Sequence, residues 1–168
     1  MKLKSLFILL ILGAANFHLQ AQRIALPYEC AKILDRRYKG WQFAEIGDDI
    51  MQWFQSSRQP YRPNLIKGDW NGDRRIDYAA LIENAKTGTP GSGHVLAVFL
   101  RNTRGYTLYK LEGSDYIAFI NKGSRDYNYE TDQTFIYRND AIFTGFFEKA
   151  GISYTWQKGK FVALVTSD

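Results

Sequence analysis

The stretch that decides the fold is residues 152–165, Ile-Ser-Tyr-Thr-Trp-Gln-Lys-Gly-Lys-Phe-Val-Ala-Leu-Val. In its first part Ile152, Tyr154 and Trp156 alternate with smaller or polar residues, and a period of two places them on one face of a β-strand. Gly159 is able to take the positive φ that a tight turn requires, and a second apolar run follows it. The segment therefore predicts a β-hairpin.

Working outward from this hairpin, similar short runs recur along the preceding ninety residues with turn residues between them. They are rich in Val, Ile, Tyr, Phe and Thr, which suit a pleated surface. Their short connections predict a mostly antiparallel β-meander. The runs before the hairpin are 78–82, 95–100, 106–111, 116–120, 135–137 and 141–147. The polar segment 122–132 is expected to be a loop between two of them.

The front of the chain has a different period. After Pro27, apolar residues recur in steps of three and four from Tyr28 to Trp41, which indicates one face of a helix. A second, shorter helix is expected to begin at Asp48 or Asp49. The fold class predicted is α+β, with N-terminal helices packed on the mostly antiparallel β-meander.

The domain organisation predicted is a single α+β domain preceded by a leader. The helical part covers about 26–58, a short acidic loop covers 69–77, and the β part covers about 76–166. The chain has 168 residues, of which 45% are hydrophobic and 15% aromatic. This composition is sufficient for one core and excludes a disordered chain.

The leader is residues 1–21. Lys2 and Lys4 precede an apolar run, and a polar stretch then leads to Ala21, which is the layout of a secretory signal peptide. The run is shorter than the ~20 residues that cross a bilayer as a helix. We therefore expect an exported protein, periplasmic or extracellular, without stable membrane insertion, and a domain over 22–168. An uncleaved anchor is the alternative.

Charge and cysteine content limit the partners and the means of stabilisation. The formal net charge of +5 falls to +3 when Lys2 and Lys4 leave with the leader. We interpret the two arginine pairs, Arg36-Arg37 and Arg74-Arg75, as solvated surface residues. Because they do not form a clustered basic face, no nucleic-acid partner is expected. Cys30 is the single cysteine, which excludes an intrachain disulfide. We interpret it as a buried thiol, with an intermolecular disulfide as the alternative.

One segment, Asp69-Trp70-Asn71-Gly72-Asp73-Arg74-Arg75-Ile76-Asp77, has the composition of a metal site. Calcium prefers six to eight oxygen ligands, and a loop that curls round one ion can present alternate side chains to it. The spacing predicts a structural calcium site, and the alternative is an ordinary turn that binds nothing. The candidate ligands are the side chains of Asp69, Asn71, Asp73 and Asp77 and the backbone carbonyl of Arg75.

This loop, followed by Tyr-Ala, resembles the calcium loop of FG-GAP/VCBS-type repeats of secreted proteins and is similar to the first nine positions of an EF-hand. The resemblance covers about a dozen residues and implies that the same five residues are the calcium ligands. Position 6, normally glycine, is Arg74, which must take a strained turn or a different backbone path. Position 12 is Ala80 and not the bidentate glutamate of an EF-hand, so a helix–loop–helix switch is not implied.

No catalytic constellation accompanies this loop. Beyond the leader His94 is the single histidine, and the sequence contains no nucleophile elbow, P-loop or dinucleotide fingerprint. We therefore predict that the protein is not an enzyme. The expected function is that of a secreted or periplasmic, calcium-stabilised binding domain, such as an inhibitor or immunity-type protein that binds another protein, or a glycan, in the cell envelope. Tyr127 and Tyr129 are the candidate contact residues.

Two other functions remain open from the sequence. A small hydrolase of envelope polymers would use a pair of acidic residues, either Glu112 with Asp115 or Glu130 with Asp132. A purely structural envelope component would have no specific partner.

Overall fold

A computed structural model describes residues 24–57, 59–83 and 94–167. The predicted signal peptide, residues 1–21, lies outside the described residues. Within the described ranges, no helix has both the length and the apolar character needed to cross a bilayer. Strands account for 47% of the structure and helices for 14%.

The described ranges contain two helices and eleven strands. The order along the chain is α1 Tyr28–Arg37, β1 Gln42–Phe43, α2 Asp48–Ser56, β2 Leu65–Gly68, β3 Asp77–Glu83, β4 Val95–Asn102, β5 Gly105–Glu112, β6 Tyr116–Ile120, β7 Arg125–Asn128, β8 Gln133–Ile136, β9 Ala141–Gly145, β10 Gly151–Gln157 and β11 Lys160–Ser167.

The strands form two main antiparallel sheets and one separate hairpin. The first sheet has the order β1-β3-β4-β5, with β2 also pairing with β3. The second has the order β11-β10-β9-β6, and β7 and β8 pair as a two-stranded sheet. The hairpin predicted over 152–165 is confirmed as β10 and β11, which pair from Gly151↔Ser167 to Gln157↔Lys160.

The main core lies between the two sheets. Leu81, Leu96 and Val98 of the first sheet pack in one cluster with Ile117 and Ile142 of the second, and all five are fully buried. The predicted fold class is therefore wrong, because the architecture is β-sandwich-like and is not a layer of helices on one meander. Hydrophobic periodicity identifies strands but does not show that the chain changes sheet between β5 and β6.

Each helix covers the outer face of a different sheet. Cys30 and Leu34 of α1 cluster with Phe99 on the outer side of the first sheet. Ile50 and Phe54 of α2 cluster with outer residues of β6 in the second. The central strands of the first sheet are thus buried on both faces, which explains why β3 and β4 are nearly continuous apolar runs without alternation.

A second prediction needs correction in the polar segment 122–132. It was expected to be a loop, but β7 occupies Arg125–Asn128 and pairs with β8 from Arg125↔Ile136 to Asn128↔Gln133. Polar strands of four residues carry little periodic apolar signal, so the sequence does not distinguish them from a loop.

Candidate functional site

The acidic loop connects β2 to β3 and is closed at its base by the pair Gly68↔Asp77. The Asp69 carboxylate lies inside the curl of the loop. Its Oδ1 accepts a hydrogen bond from the Gly72 N–H at 2.8 Å, and its Oδ2 accepts one from the Arg74 N–H at 2.8 Å. This side chain therefore fixes the path of the five residues that follow it.

The next two candidate ligands hold the loop in the same way, each by accepting from a residue only two positions later in the sequence. The Asn71 Oδ1 atom accepts from the Asp73 N–H at 3.0 Å, and the Asp73 Oδ1 atom accepts from the Arg75 N–H at 2.9 Å. Such turns, in which an Asn or Asp side chain accepts from the backbone two residues later, are common in tight loops. Asp69, Asn71 and Asp73 are thus brought together within one curl, and Asp73 and Arg75 are exposed.

Asp77, the fifth candidate, has a different environment. Its side chain is fully buried, and its two oxygens accept from the N–H groups of Trp70 at 3.0 Å and of Arg101, in β4, at 2.7 Å. Burial raises the pKa of this carboxyl to about 7; the two N–H donors act in the opposite direction, and the negative charges of Asp73 and Asp69 raise it further. Asp77 anchors the loop to β4, and its enclosed carboxyl is out of reach of any substrate.

Arg74, at the sixth position of the loop, adopts the backbone conformation that glycine usually takes there. Arg74 has a φ of 66°, so it takes the left-handed conformation in spite of its side chain. Gly72 has a φ of 79°, and a Cβ added there would lie 2.5 Å from the Asn139 Oδ1 atom. The loop therefore keeps the tight path with a strained Arg74.

The segment before β9 ties the loop to the second sheet. The Asp140 carboxylate accepts from the Asp69 N–H at 2.9 Å through one oxygen and from the Lys122 N–H at 3.1 Å through the other. The Asn139 side-chain amide donates to the Trp70 carbonyl at 3.4 Å. Sequence reasoning missed Asn139 and Asp140, because they lie some 70 residues from the loop and no spacing connects them to it.

The loop offers the oxygen ligands that calcium prefers, but its carboxylates do not form a cluster arranged for a metal ion. Within the described ranges, no three His, Cys, Asp or Glu side chains form a metal-binding group. The set that fits is the carboxylates of Asp69 and Asp73, the amide oxygen of Asn71 and the carbonyl of Arg75. Asp77 is left out of this set because its side chain is fully buried. In the described part of the chain, none of the three carboxylates forms a salt bridge with a cationic side chain.

The two candidate contact tyrosines form a pair on the separate hairpin. The rings of Tyr127 and Tyr129 meet edge to face, with centroids 5.0 Å apart, and Tyr129 is 52% exposed. The Tyr127 hydroxyl donates to Asp132, and the Tyr129 N–H donates to the Val165 carbonyl of β11 at 2.9 Å. Among the described residues, no hydrogen bond or ring contact joins this pair to the acidic loop.

The acidic pairs considered for hydrolysis each have one member engaged in local structure. The Asp115 carboxylate accepts from the Phe147 N–H at 3.1 Å, and Asp132 accepts from the Tyr127 hydroxyl. His94 lies near the Ser114 carbonyl, with 2.6 Å between the Nδ1 and oxygen atoms. Its Nε2 atom is 3.5 Å from a Glu83 carboxylate oxygen.

Comparison with known proteins gives no match: no protein-family model, no curated protein and no solved structure corresponds to the chain. The resemblance to FG-GAP/VCBS-type loops therefore rests on the loop residues alone.

Proposed function

We propose that the chain is an exported, non-catalytic domain that binds another protein and is stabilised by calcium held in the loop 69–77. The observation that supports the calcium site is the charge of the loop. Three carboxylates lie close enough to affect one another, and one of them is fully buried. A divalent cation would offset that charge, and among the described side chains none of the three carboxylates has a salt-bridge partner.

Each loop residue has a defined role in this proposal. Asp69, Asn71 and Asp73 would hold the ion through side-chain oxygens, and Arg75 would hold it through its carbonyl. Asp77 serves as the anchor from the buried side. The ion would supply charge compensation and a cross-link in a chain without an intrachain disulfide, and no chemical step is assigned to it.

The stabilising effect would reach both sheets. The loop closes the β2–β3 hairpin at Gly68↔Asp77, and it is bonded through Asp140 to the segment that enters β9. Fixing the loop therefore fixes the junction of the two sheets. Proteins exported without disulfides commonly depend on their core, an ion or a partner for stability.

The binding role is supported by the tyrosine pair, of which Tyr129 is exposed and Tyr127 half-buried. Tyr127 and Tyr129 present a wide, rigid aromatic surface on a two-stranded hairpin that Tyr129 ties to the sandwich. Aromatic side chains of this kind are common at the centres of protein interfaces, because they bury a large area at a small entropic cost.

The experiment that tests this function is affinity capture with the full chain from envelope extracts, in calcium and in a chelator. We expect a specific protein partner that Tyr129→Ser releases, whereas Tyr28→Ser, which alters another exposed tyrosine, on α1, leaves it bound. Turnover of peptidoglycan or polysaccharide that requires an acidic residue outside the loop would contradict the proposal and favour the hydrolase alternative.

A further inference from the structure

A cationic cleft lies between the C-terminal end of α1 and the outer face of β5. Its volume is about 520 Å³, and it is lined by Arg36 and Arg37 of the helix, by Lys110 of the strand and by Tyr106. No Asp or Glu residue lines it. The two arginines and Lys110 are exposed, so their charges are available to a ligand.

A second cleft continues from the first at their shared residue, Tyr106. It has a volume of about 550 Å³ and includes Arg75 and Arg101, again without an acidic lining residue. The Arg101 guanidinium carbon lies 4.8 Å from the centroid of the Tyr106 ring, which is a cation–π contact. The two clefts meet on the outer face of the first sheet. Arg101 is paired with Glu29, with 3.5 Å between the Nη1 and Oε2 atoms, so the charges that the first cleft offers are those of Arg36, Arg37 and Lys110.

The first cleft lies beside β5, which is the last strand in the order of the first sheet. The Gly113 N–H donates to the His94 carbonyl at 3.1 Å. Bonded and non-bonded pairs alternate along an antiparallel ladder, so the β5 residues bonded to β4 are Leu111, Tyr109, Thr107 and Gly105.

The main-chain groups of Tyr106, Leu108 and Lys110 therefore point away from β4. Within the described part of the chain, no strand pairs with them. The same three residues share the outer face of the sheet by the period of two, and Tyr106 and Leu108 pack in the cluster that contains α1. These backbone groups thus lie beside the cleft that Arg36, Arg37 and Lys110 line.

We propose that the edge of β5 takes up an extended acidic peptide segment as an additional strand, with carboxylates of the peptide facing Arg36, Arg37 and Lys110. This mode of recognition takes affinity from backbone hydrogen bonds and specificity from alternate side chains. From Tyr106 to Lys110 the edge is about 14 Å long at ~3.4 Å per residue, which accommodates five residues of a partner. The inference deepens the proposed protein-binding function and rests on it.

Two other occupants fit the surface less well. A second copy of the chain paired through β5 would bring the same cationic side chains together and repel. An acidic glycan would satisfy Arg36, Arg37 and Lys110, but it would leave unused the backbone groups that repeat at every second residue. The combination of a strand edge and positive charge favours an acidic peptide.

The test uses the full chain with a synthetic capped peptide of alternating glutamate and valine, eight residues long. Alternation places every glutamate on one face of an extended strand. We expect saturable binding, with amide hydrogen exchange slowed at Tyr106, Leu108 and Lys110. Exchange at Thr107 and Tyr109 is expected to be slow already and unchanged, because these amides are bonded to β4.

Three controls separate backbone pairing from charge alone. An antiparallel added strand would place its glutamates opposite Tyr106, Leu108 and Lys110, with the glutamate N–H groups facing β5. The same peptide with N-methylated glutamates, which lacks these donors, is expected to bind at least tenfold more weakly. The variant Arg36→Glu/Arg37→Glu/Lys110→Glu should lose binding by about tenfold or more, whereas the matched variant Lys149→Glu/Lys158→Glu/Lys160→Glu, altered at exposed lysines elsewhere, should keep it. An acidic polysaccharide, polygalacturonate, is expected to compete weakly.

The inference is overturned if the peptide does not bind, if exchange does not slow at alternate residues, or if polygalacturonate binds in its place. Its failure can be told apart from failure of the proposed function. If the triple charge reversal at Arg36, Arg37 and Lys110 does not weaken binding of a captured partner, the added-strand inference is wrong but the proposed binding function stands. Turnover of an envelope polymer would contradict the proposed binding function itself.

Discussion

Replacement of Arg74 by glycine should stabilise the protein, although it removes a charged side chain and adds backbone freedom. Arg74 holds a φ of 66° at the sixth position of the acidic loop. Its N–H donates to Asp69, and glycine keeps that hydrogen bond. The substitution therefore changes the backbone strain and leaves the pattern of hydrogen bonds in place.

The magnitude follows from two opposing terms. A left-handed backbone costs a non-glycine residue about 1–2 kcal/mol, whereas glycine loses about 0.5–1 kcal/mol more conformational entropy on folding. The difference predicts that Arg74→Gly raises the free energy of unfolding by about 0.5–1 kcal/mol. For a domain of this size that gain corresponds to a rise of about 1–4 °C in Tm.

The neighbouring arginine provides a matched control. Arg75 is equally exposed, loses the same charge in Arg75→Gly, and is not among the residues with positive φ. Arg75→Gly should therefore lower the free energy of unfolding by about 0.5–1 kcal/mol. Urea unfolding of both variants in a chelator measures the difference directly. Equal destabilisation by the two substitutions would refute the assignment of strain to Arg74.

Three further predictions concern Asp77, Cys30 and Gly113. The folded-state pKa of Asp77 is about 7, whereas an aspartate in an unfolded chain has a pKa of ~3.9. Between these two pH values the folded protein keeps a proton that the unfolded chain releases. The free energy of unfolding in chelator should therefore fall by up to about 4 kcal/mol as pH rises from about 4 to 7. Asp77→Asn should remove that slope, and a slope unchanged by it would contradict the burial argument. The Cys30 thiol, buried and with its pKa raised to about 12, should react with a thiol reagent only after unfolding, and rapid reaction of the native protein would show that the thiol is accessible. Gly113→Ala should lower the free energy of unfolding by about 1–3 kcal/mol, because the new Cβ would meet the Leu81 side chain and lie 3.0 Å from the His94 carbonyl oxygen. An unchanged free energy in urea unfolding would show that β4 and β5 can shift.

The sequence predicts local elements of this fold better than their arrangement. The alternation of Ile152, Tyr154 and Trp156 is enough to identify the β10–β11 hairpin, because strand and turn are encoded within fourteen residues. The pairing of β6 with β9, from Tyr116↔Gly145 to Ile120↔Ala141, joins segments about 25 residues apart. Nothing in the period of either run distinguishes that pairing from a continuing meander.

The site shows the same limit. The spacing of Asp69, Asn71 and Asp73 anticipates that these side chains share one loop, and their hydrogen bonds lie within it. It does not anticipate that Asp77 turns into the core, because the partner that draws it there is the backbone of Arg101, 24 residues away. Spacing along a chain reports which oxygens are near one another, but not which of them are already bonded.

The surface along β5 is the feature most remote from sequence reasoning. Arg36 and Arg37 read as an ordinary solvated pair, and Lys110 reads as one polar residue in an alternating strand. Only the packing of α1 on the outer face of the first sheet places them along one cleft. Their combined charge is a property of the tertiary structure.

The calcium site is tested most directly by thermal unfolding of the full chain in a chelator and in 10 mM calcium. If Kd is about 10⁻⁴–10⁻³ M, as in extracellular modules, the ion at ~10 mM contributes about 1.4–2.7 kcal/mol, or about 3–10 °C in Tm. Asp73→Ala should abolish the increase, whereas Glu130→Ala, at an exposed carboxylate outside the loop, should retain it. A melting curve that is the same in chelator and in calcium would contradict the proposed site.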